Sequence, residues 1–169
     1  MIPGLVYFLI VAETMFHREY LSFIKNIIKD TLPAIEEKKE RMISAFKTGF
    51  GGLVAFQGVW TGLLLLNRHS LAAFSGLSES ETITLSFILA SVFFHLTALV
   101  SHTYLMYLEL RFEAFLTAFI FFSVNMAVAI TSLPAGIGYL SATAAASAYA
   151  VITLFRKLPD IDYIIFMKT

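Results

Sequence analysis

One apolar stretch of the chain carries a row of polar side chains that includes two histidines. The row consists of Ser91, His95, His102 and Glu109. Its spacings of four, seven and seven residues place it on one narrow stripe of an α-helix. Residues seven apart lie about 10 Å apart along a helix axis, too far to share one metal ion, so we predict no metal site. The stripe either hydrogen-bonds to a neighbouring helix, the commoner role, or lines a polar cavity.

Two amide side chains, Gln57 and Asn125, lie in other apolar stretches. If these stretches cross a membrane, no water is available there, and each amide must hydrogen-bond to another group. The amides either join helices or recognise hydroxyl groups along a sugar path, for which they supply both donors and acceptors. Aromatic residues predicted to mark the membrane interfaces are Trp60, Tyr104, Tyr107 and Tyr139.

The sequence lacks the residue patterns that most enzymes use. It contains no cysteine, which excludes disulfides, thiolate metal sites and cysteine nucleophiles. It has no glycine-rich phosphate loop, nucleophile elbow or His–Glu zinc motif. His102 and Glu109 could act as an acid and a base, but no nucleophile or third orienting group accompanies them. We therefore predict that the protein is not an enzyme and has no cofactor.

The composition predicts a membrane protein. Hydrophobic residues make up 58% and charged residues 14% of the 169 residues, and the mean hydropathy is +0.78. A soluble domain would have about 45–50% apolar and roughly 25% charged residues. Because twelve basic residues balance twelve acidic ones, the chain has no basic field that would bind nucleic acid.

Four stretches are long and apolar enough to cross a bilayer as helices of about 20 residues. They are residues 42–66, 83–107, 114–133 and 138–155. A fifth stretch, residues 2–12, is about half a span, and no basic residue precedes it as in a signal peptide. We interpret it as the second half of a helix whose beginning is missing. The prediction is an all-α, polytopic membrane helix bundle that forms a single domain over residues 1–169.

Basic residues gather on one side of this predicted bundle. If the spans alternate in direction, ten of the twelve share a side, with Arg68 opposite and Lys47 just inside the first full span. By the positive-inside rule, the 13–41 connection, the loop with Arg111 and the C-terminus face the cytoplasm. All acidic residues lie in loops, tails or helix ends, which argues against a carboxylate proton relay.

Residues 13–41 are predicted to include an amphipathic helix. Its apolar face carries Phe16, Tyr20, Phe23, Ile24, Ile27 and Ile28, and its polar face carries Arg18, Ser22, Lys25 and Lys29. The helix lies either in the cytoplasmic membrane interface or against the protein's own cytoplasmic surface. Pro33 suits the first turn of the next helix, and the charge run at 36–41 is predicted to be a solvated face.

Small residues recur at a spacing of four in the first and last full spans. They are Gly58 and Gly62, and Gly138, Ala142, Ala146 and Ala150. Such stripes let helix backbones approach closely. We therefore expect both spans to pack closely against neighbouring helices.

Several short patterns follow one another along nearly the whole chain. They are Tyr7-Phe8, Val11-Ala12-Glu13-Thr14-Met15-Phe16, Tyr20, Thr31-Leu32, Ile35, Lys39, Met42, Gln57-Gly58, Thr61, Phe93-Phe94-His95, Tyr107-Leu108-Glu109-Leu110-Arg111-Phe112-Glu113-Ala114, Asn125, Gly136-Ile137-Gly138-Tyr139, Asp162-Tyr163 and Phe166-Met167. In this order and spacing they resemble the PelG-type inner-membrane proteins of Pel exopolysaccharide export, within the polysaccharide flippase superfamily. The chain is similar to the C-terminal third of such a protein.

The resemblance implies a role in moving a cationic, amino-sugar-rich polymer across the bacterial inner membrane. It implies as partners a missing N-terminal lobe, a cytoplasmic glycosyltransferase and a cyclic-di-GMP-sensing membrane protein. Alternating access needs two lobes, so this chain alone is not expected to transport. Glu109 stands where the family has Asp, and Phe112 where a second Arg is common. The resemblance implies that Glu109 and Arg111 form a cytoplasmic gate or a partner contact.

Two functional hypotheses follow for a protein in contact with membrane lipid. In the first, the chain is part of a polysaccharide transporter whose path touches His95, His102, Gln57 and Asn125. In the second, it is a non-transporting scaffold subunit that docks cytoplasmic biosynthesis partners through residues 13–41 and through its small-residue faces.

Overall fold

The structure is a computed structural model that describes residues 2–26, 31–131, 133–134 and 136–166. The expectations for Ile27, Ile28 and Lys29, and for Met167 and Lys168, therefore lie outside the described residues. Every regular element in the described ranges is helical. Helices satisfy all their backbone hydrogen bonds within one segment, which is what long apolar stretches in a membrane require.

In chain order, the helical elements are α1 (Ile2–Tyr7), a π-helical turn (Phe8–Ala12), α2 (Glu13–Asn26), α3 (Leu32–Leu66), α4 (Arg68–Phe74), α5 (Glu79–Tyr107), α6 (Arg111–Ala129), α7 (Ile137–Lys157), a 3-10 turn (Leu158–Asp160) and α8 (Ile161–Phe166).

Four helical stretches are long and apolar enough to cross a membrane. They are Leu32–Leu66, Glu79–Tyr107, Arg111–Ala129 and Ile137–Tyr163. They correspond to the four predicted spans, and the predicted all-α, multi-pass architecture is confirmed. α3 is about 52 Å long at 1.5 Å per residue, longer than a hydrocarbon core of about 30 Å. The excess arises because α3 begins at Leu32, with Pro33 in its first turn as predicted.

The N-terminal apolar stretch and the amphipathic segment form one continuous helical run from Ile2 to Asn26. Tyr7 and Glu13, which flank the π-helical turn, both have right-handed helical dihedral angles. The sequence pattern predicts two separate segments here. The structure joins them because a π turn accommodates an extra residue without ending the helix.

The chain divides into two compact units, and each is described by itself. The first unit comprises Met1–Gln57 with Lys157–Thr169, and the second comprises Gly58–Arg156. In the first unit, Phe16 and Phe23 of α2 are at most 1% exposed. The ring of Phe16 lies 6.4 Å from that of Phe46 in α3, in an edge-to-face arrangement. Of the two predicted locations for the amphipathic helix, these contacts favour the protein's own surface.

The π-helical turn lies where the N-terminal helical run touches α3. A Cβ atom on Gly49 would lie 3.0 Å from both the Cα and the Cβ atom of Ala12, and Ala12 is fully buried. One turn further along α3, a Cβ atom on Gly52 would overlap the hydroxyl group of Tyr7. The two glycines therefore permit an approach that side chains at these positions would prevent.

Lys39 is an exception to the prediction that the charged run at 36–41 is a solvated face. Its Nζ atom donates a hydrogen bond of 3.2 Å to Oδ2 of Asp162 in α8 and lies 2.9 Å from Oε1 of Glu36. The residue is buried, whereas Glu37 and Arg41 on the same run are exposed, as predicted. Lys39 can be buried because two carboxylates compensate its positive charge.

In the second unit, α5 begins with a capping box and then contacts other parts of the chain. At its start, the carboxylate of Glu81 accepts a hydrogen bond of 2.8 Å from the backbone N–H of Ser78, which completes a capping box. A Cβ atom on Gly58 of α3 would lie 3.6 Å from the ring of Phe93. Gly136, before α7, has a φ of +93° and approaches Phe87, whose Cβ would lie 3.1 Å from an added Cβ atom.

The last two spans differ in how much surface they bury. Ala142, Ala146 and Ala150 of α7 are at most 1% exposed, so the close packing predicted for this stripe is confirmed. By contrast, α6 exposes a row of large apolar side chains: Phe112, Phe115, Phe119, Phe122, Met126 and Ile130. A row of this kind suits a helix surface that faces lipid.

Candidate functional site

The rings of His95, Phe121 and Tyr139, which come from three different helices of the second unit, form one cluster. The imidazole of His95 in α5 lies 5.8 Å from the ring of Tyr139 in α7 and 6.2 Å from that of Phe121 in α6. The rings of Phe121 and Tyr139 are 6.0 Å apart in an edge-to-face arrangement. Each distance falls in the range where aromatic pairs attract, at about 0.5–1.5 kcal/mol per pair. His95 therefore joins α5, α6 and α7.

Asn125 lies one helical turn beyond Phe121 on α6, beside this ring cluster. A Cβ atom on Gly138 would lie 3.4 Å from its Oδ1 atom, so the absence of a side chain at Gly138 leaves room for the amide. Asn125 and Tyr139 both line a cavity of about 330 Å³ at the turn between α6 and α7. The described residues around this cavity carry no charge.

The arrangement suits a ligand that is rich in hydroxyl groups. The Asn125 amide offers a donor and an acceptor, and the phenol of Tyr139 offers another of each. The apolar remainder of the cavity wall, including Val128 and Leu133, can contact C–H groups. Ligand pockets commonly combine an apolar lining with a few polar groups that fix orientation.

The remaining residues of the predicted stripe do not join this cluster. Ser91 is buried, and its hydroxyl donates a hydrogen bond of 2.6 Å to the carbonyl of Phe87 in its own helix. His102 is half-buried two turns further along α5, about 10 Å from His95 along the helix axis. Since α5 ends at Tyr107, Glu109 lies beyond the helix and does not extend the stripe.

Gln57 belongs to the first unit. It is 2% exposed and continues the buried face of α3 that carries Phe46, Phe50 and Leu53. Because it is buried, the amide depends on groups inside the protein for its hydrogen bonds. Asn125 lines the same cavity as Tyr139, the ring partner of His95, whereas Gln57 belongs to the first unit.

Glu109 lies in the tight turn between α5 and α6, and Arg111 is the first residue of α6. The backbone N–H of Glu109 bonds to the carbonyl of Met106 at 3.1 Å, and that of Leu110 bonds to Leu105 at 2.9 Å. This pattern is a Schellman motif, in which the residue at the Glu109 position is left-handed and is usually glycine. Glu109 has a φ of +56° and is exposed. A glutamate at this position costs about 1–2 kcal/mol relative to glycine.

The sequence patterns do not predict the partners of His95. They place Tyr139 at a membrane interface and do not single out Phe121. The four-residue spacing of Phe121 and Asn125 was a usable signal, because it places both side chains on one face of α6. Tyr104, also predicted to mark an interface, is fully buried within the protein. Within the described residues, no three His, Cys, Asp or Glu side chains form a group that could hold a metal ion.

Comparison with known protein families finds a model that matches nearly the whole chain. The family model PelG, described as "Putative exopolysaccharide Exporter (EPS-E)", covers residues 1–166. No curated protein and no solved structure matches the chain.

Proposed function

The chain belongs to the PelG family, and from this membership we propose that it forms part of a path for exopolysaccharide across the bacterial inner membrane. The membership confirms the resemblance drawn from the sequence patterns, and it places the chain in an exporter family rather than an enzyme family. The chain is a multi-pass membrane protein with four helices suited to crossing a bilayer. The observation that carries the proposal is the cluster of His95, Phe121 and Tyr139 beside Asn125.

In this proposal, Asn125 and Tyr139 contact the sugar units of the passing polymer. Transport requires contacts strong enough to admit a ligand and weak enough to release it. Neutral hydrogen-bonding groups meet this requirement better than ion pairs, whose hydrogen bonds are roughly twice as strong. His95 holds the ring of Tyr139 in place, and His102 provides a second polar contact further along α5.

The proposed topology places the C-terminus, the α5–α6 turn and the segment before α3 in the cytoplasm. The support is the distribution of basic residues, of which Arg68 is the one placed on the opposite side. In this topology, Glu109 and Arg111 face the cytoplasm. They would contact the glycosyltransferase or the cyclic-di-GMP-sensing membrane protein that the family resemblance implies. An N-terminal lobe completes the transporter, because alternating access needs two helix bundles that move against each other.

The scaffold hypothesis has less support from the structure. It requires the amphipathic segment to offer its apolar face to a partner protein. Phe16 and Phe23 of that face are already buried in the first unit. The small-residue stripe of α7 is likewise buried at Ala142, Ala146 and Ala150. These surfaces are therefore occupied within the chain itself.

The test is complementation of exopolysaccharide export in cells that supply all other export components. We expect Asn125→Ala and His95→Ala to lower secreted polymer while the membrane level of the protein stays the same. Tyr139→Phe keeps the ring and removes the hydroxyl, and it should produce a smaller loss.

The matched control is Met126→Ala, the next residue on α6, whose side chain is exposed. It should leave export unchanged. If export falls only in proportion to protein level, His95 and Asn125 are structural. If both variants export normally, the proposed path is wrong.

A further inference from the structure

A second recess, of about 610 Å³, lies between α4 and the first two turns of α5 in the second unit. Its polar rim includes Arg68 and Glu79, the first residues of α4 and α5. Its apolar part includes Ala72, Leu77 and Phe87. The recess plays no part in the proposed sugar contacts of Asn125 and Tyr139.

The two charges on the rim are available to a ligand. Within the described part of the chain, neither Arg68 nor Glu79 forms an ion pair. The guanidinium Nε of Arg68 donates a hydrogen bond of 3.4 Å to Nε2 of the adjacent His69. Arg68 and Glu79 are both exposed at the rim, so a bound group can reach both.

The surroundings of the recess place it at the depth of lipid headgroups. The membrane-crossing helix α3 ends at Leu66, which is 82% exposed, and α4 ends at Phe74, which is 95% exposed. Arg68 and His69 lie between them. Apolar side chains that alternate with charged ones in a short helix after a span are typical of the membrane interface.

The opposite charges restrict the chemistry of the ligand. A purely anionic headgroup would meet the repulsion of Glu79, and a cation alone would meet that of Arg68. A zwitterionic group with a phosphate and a primary ammonium satisfies both, because guanidinium binds phosphate well and an ammonium group donates to a carboxylate. A quaternary choline has no N–H to donate.

We propose that this recess binds the headgroup of phosphatidylethanolamine, with its phosphate on Arg68 and its ammonium on Glu79. The first acyl segments then lie along Leu77 and Phe87. Because the site is independent of the export proposal, it stands or falls by lipid binding alone.

The experiment uses the full chain in detergent and measures retained lipid by native mass spectrometry. Phosphatidylethanolamine, phosphatidylcholine and phosphatidylglycerol are added separately. We expect phosphatidylethanolamine to bind about tenfold more tightly than phosphatidylcholine, as for one charge-assisted hydrogen bond. Glu79→Gln should abolish this preference, and Arg68→Gln should weaken binding of all three lipids.

The matched control is Arg111→Gln, which removes an exposed arginine that is also the first residue of a helix. It should change neither affinity nor preference. Circular dichroism of each variant verifies that the helices are intact. Equal binding of phosphatidylethanolamine and phosphatidylcholine would overturn the proposal, as would unchanged binding in Arg68→Gln. Equally strong competition by soluble phosphoethanolamine, or displacement of the lipid by a neutral oligosaccharide, would overturn the assignment to a lipid.

Discussion

Lys39 in α3 and Asp162 in α8 are joined by a hydrogen-bonded ion pair of 3.2 Å across 123 residues of sequence. The pair connects the cytoplasmic extension of α3, in the proposed topology, to the end of the described chain. Glu36 adds a second carboxylate 2.9 Å from the same ammonium group. Since the Lys39 side chain is 11% exposed, this charge is better shielded from water and salt than those around it.

Replacing Lys39 by Met should lower the stability of the protein by about 1–2 kcal/mol. The loss is smaller than the 3–5 kcal/mol of a fully buried pair, because Asp162 remains partly hydrated. Arg41→Met, which removes an exposed pair with Glu37, should cost only about 0.3–0.5 kcal/mol. Thermal unfolding in detergent measures both. Equal losses of stability in the two variants would show that the Lys39–Asp162 pair contributes no more than an exposed ion pair.

Gly49→Ala and Gly51→Ala should have opposite effects on stability. An alanine at Gly49 would meet the backbone of Ala12 at 3.0 Å, and backbone cannot move aside as a flexible side chain can, so a loss of about 1–3 kcal/mol is expected. Gly51 has nothing within 4 Å of an added Cβ atom. Alanine there should stabilise α3 by up to about 1 kcal/mol through helix propensity. A stable Gly49→Ala variant would contradict the close approach of the two helices.

Glu109→Gly should raise stability by about 1 kcal/mol, because glycine adopts the left-handed conformation without strain. Glu109→Ala keeps a Cβ atom at the same φ and should give no comparable gain. The midpoint of thermal unfolding, Tm, compares the three proteins. A lower Tm for Glu109→Gly would mean that contacts of the carboxylate outweigh the strain of the turn.

Ser101→Ala should also stabilise the protein, by about 1 kcal/mol. The Oγ atom of Ser101 is fully buried and has no hydrogen-bond partner among the residues that the structure describes, so its removal relieves a desolvation cost. Ser91→Ala is the control in the same helix, because its hydroxyl bonds to the Phe87 carbonyl. It should leave stability unchanged or slightly lower. A destabilised Ser101→Ala variant would point to a partner for the hydroxyl, such as an ordered water.

Local patterns in the sequence were sufficient for the helices and for the small-residue face of α7, whereas Gly62 in the stripe of α3 has nothing within 4 Å of an added Cβ atom. Each of the four spans follows from a run of apolar residues, and the start of α3 follows from the preference of Pro33 for a first helical turn. The buried stripe of α7 follows from alanines at a spacing of four. These properties depend only on residues close to one another in the chain, so they can be predicted without knowing the fold.

The candidate site was predicted only in part. His95 and Asn125 stood out because polar groups are expensive inside a membrane. Their common location with Phe121 and Tyr139 depends on how α5, α6 and α7 rotate about their axes and cross. No short window of sequence encodes that rotation.

The sequence by itself therefore determined a multi-pass helical membrane protein, its family and its isolated polar residues, because hydropathy and helical periodicity are local. Only the tertiary structure decided that the ring of Tyr139, and not His102, contacts His95. It also decided that Lys39 is buried against Asp162 although its neighbours in sequence are solvated. It also decided that Glu109 occupies a left-handed turn. The first two features are contacts between residues distant in sequence, and the third is a backbone dihedral angle. Both kinds of feature are determined by how the helices pack in three dimensions.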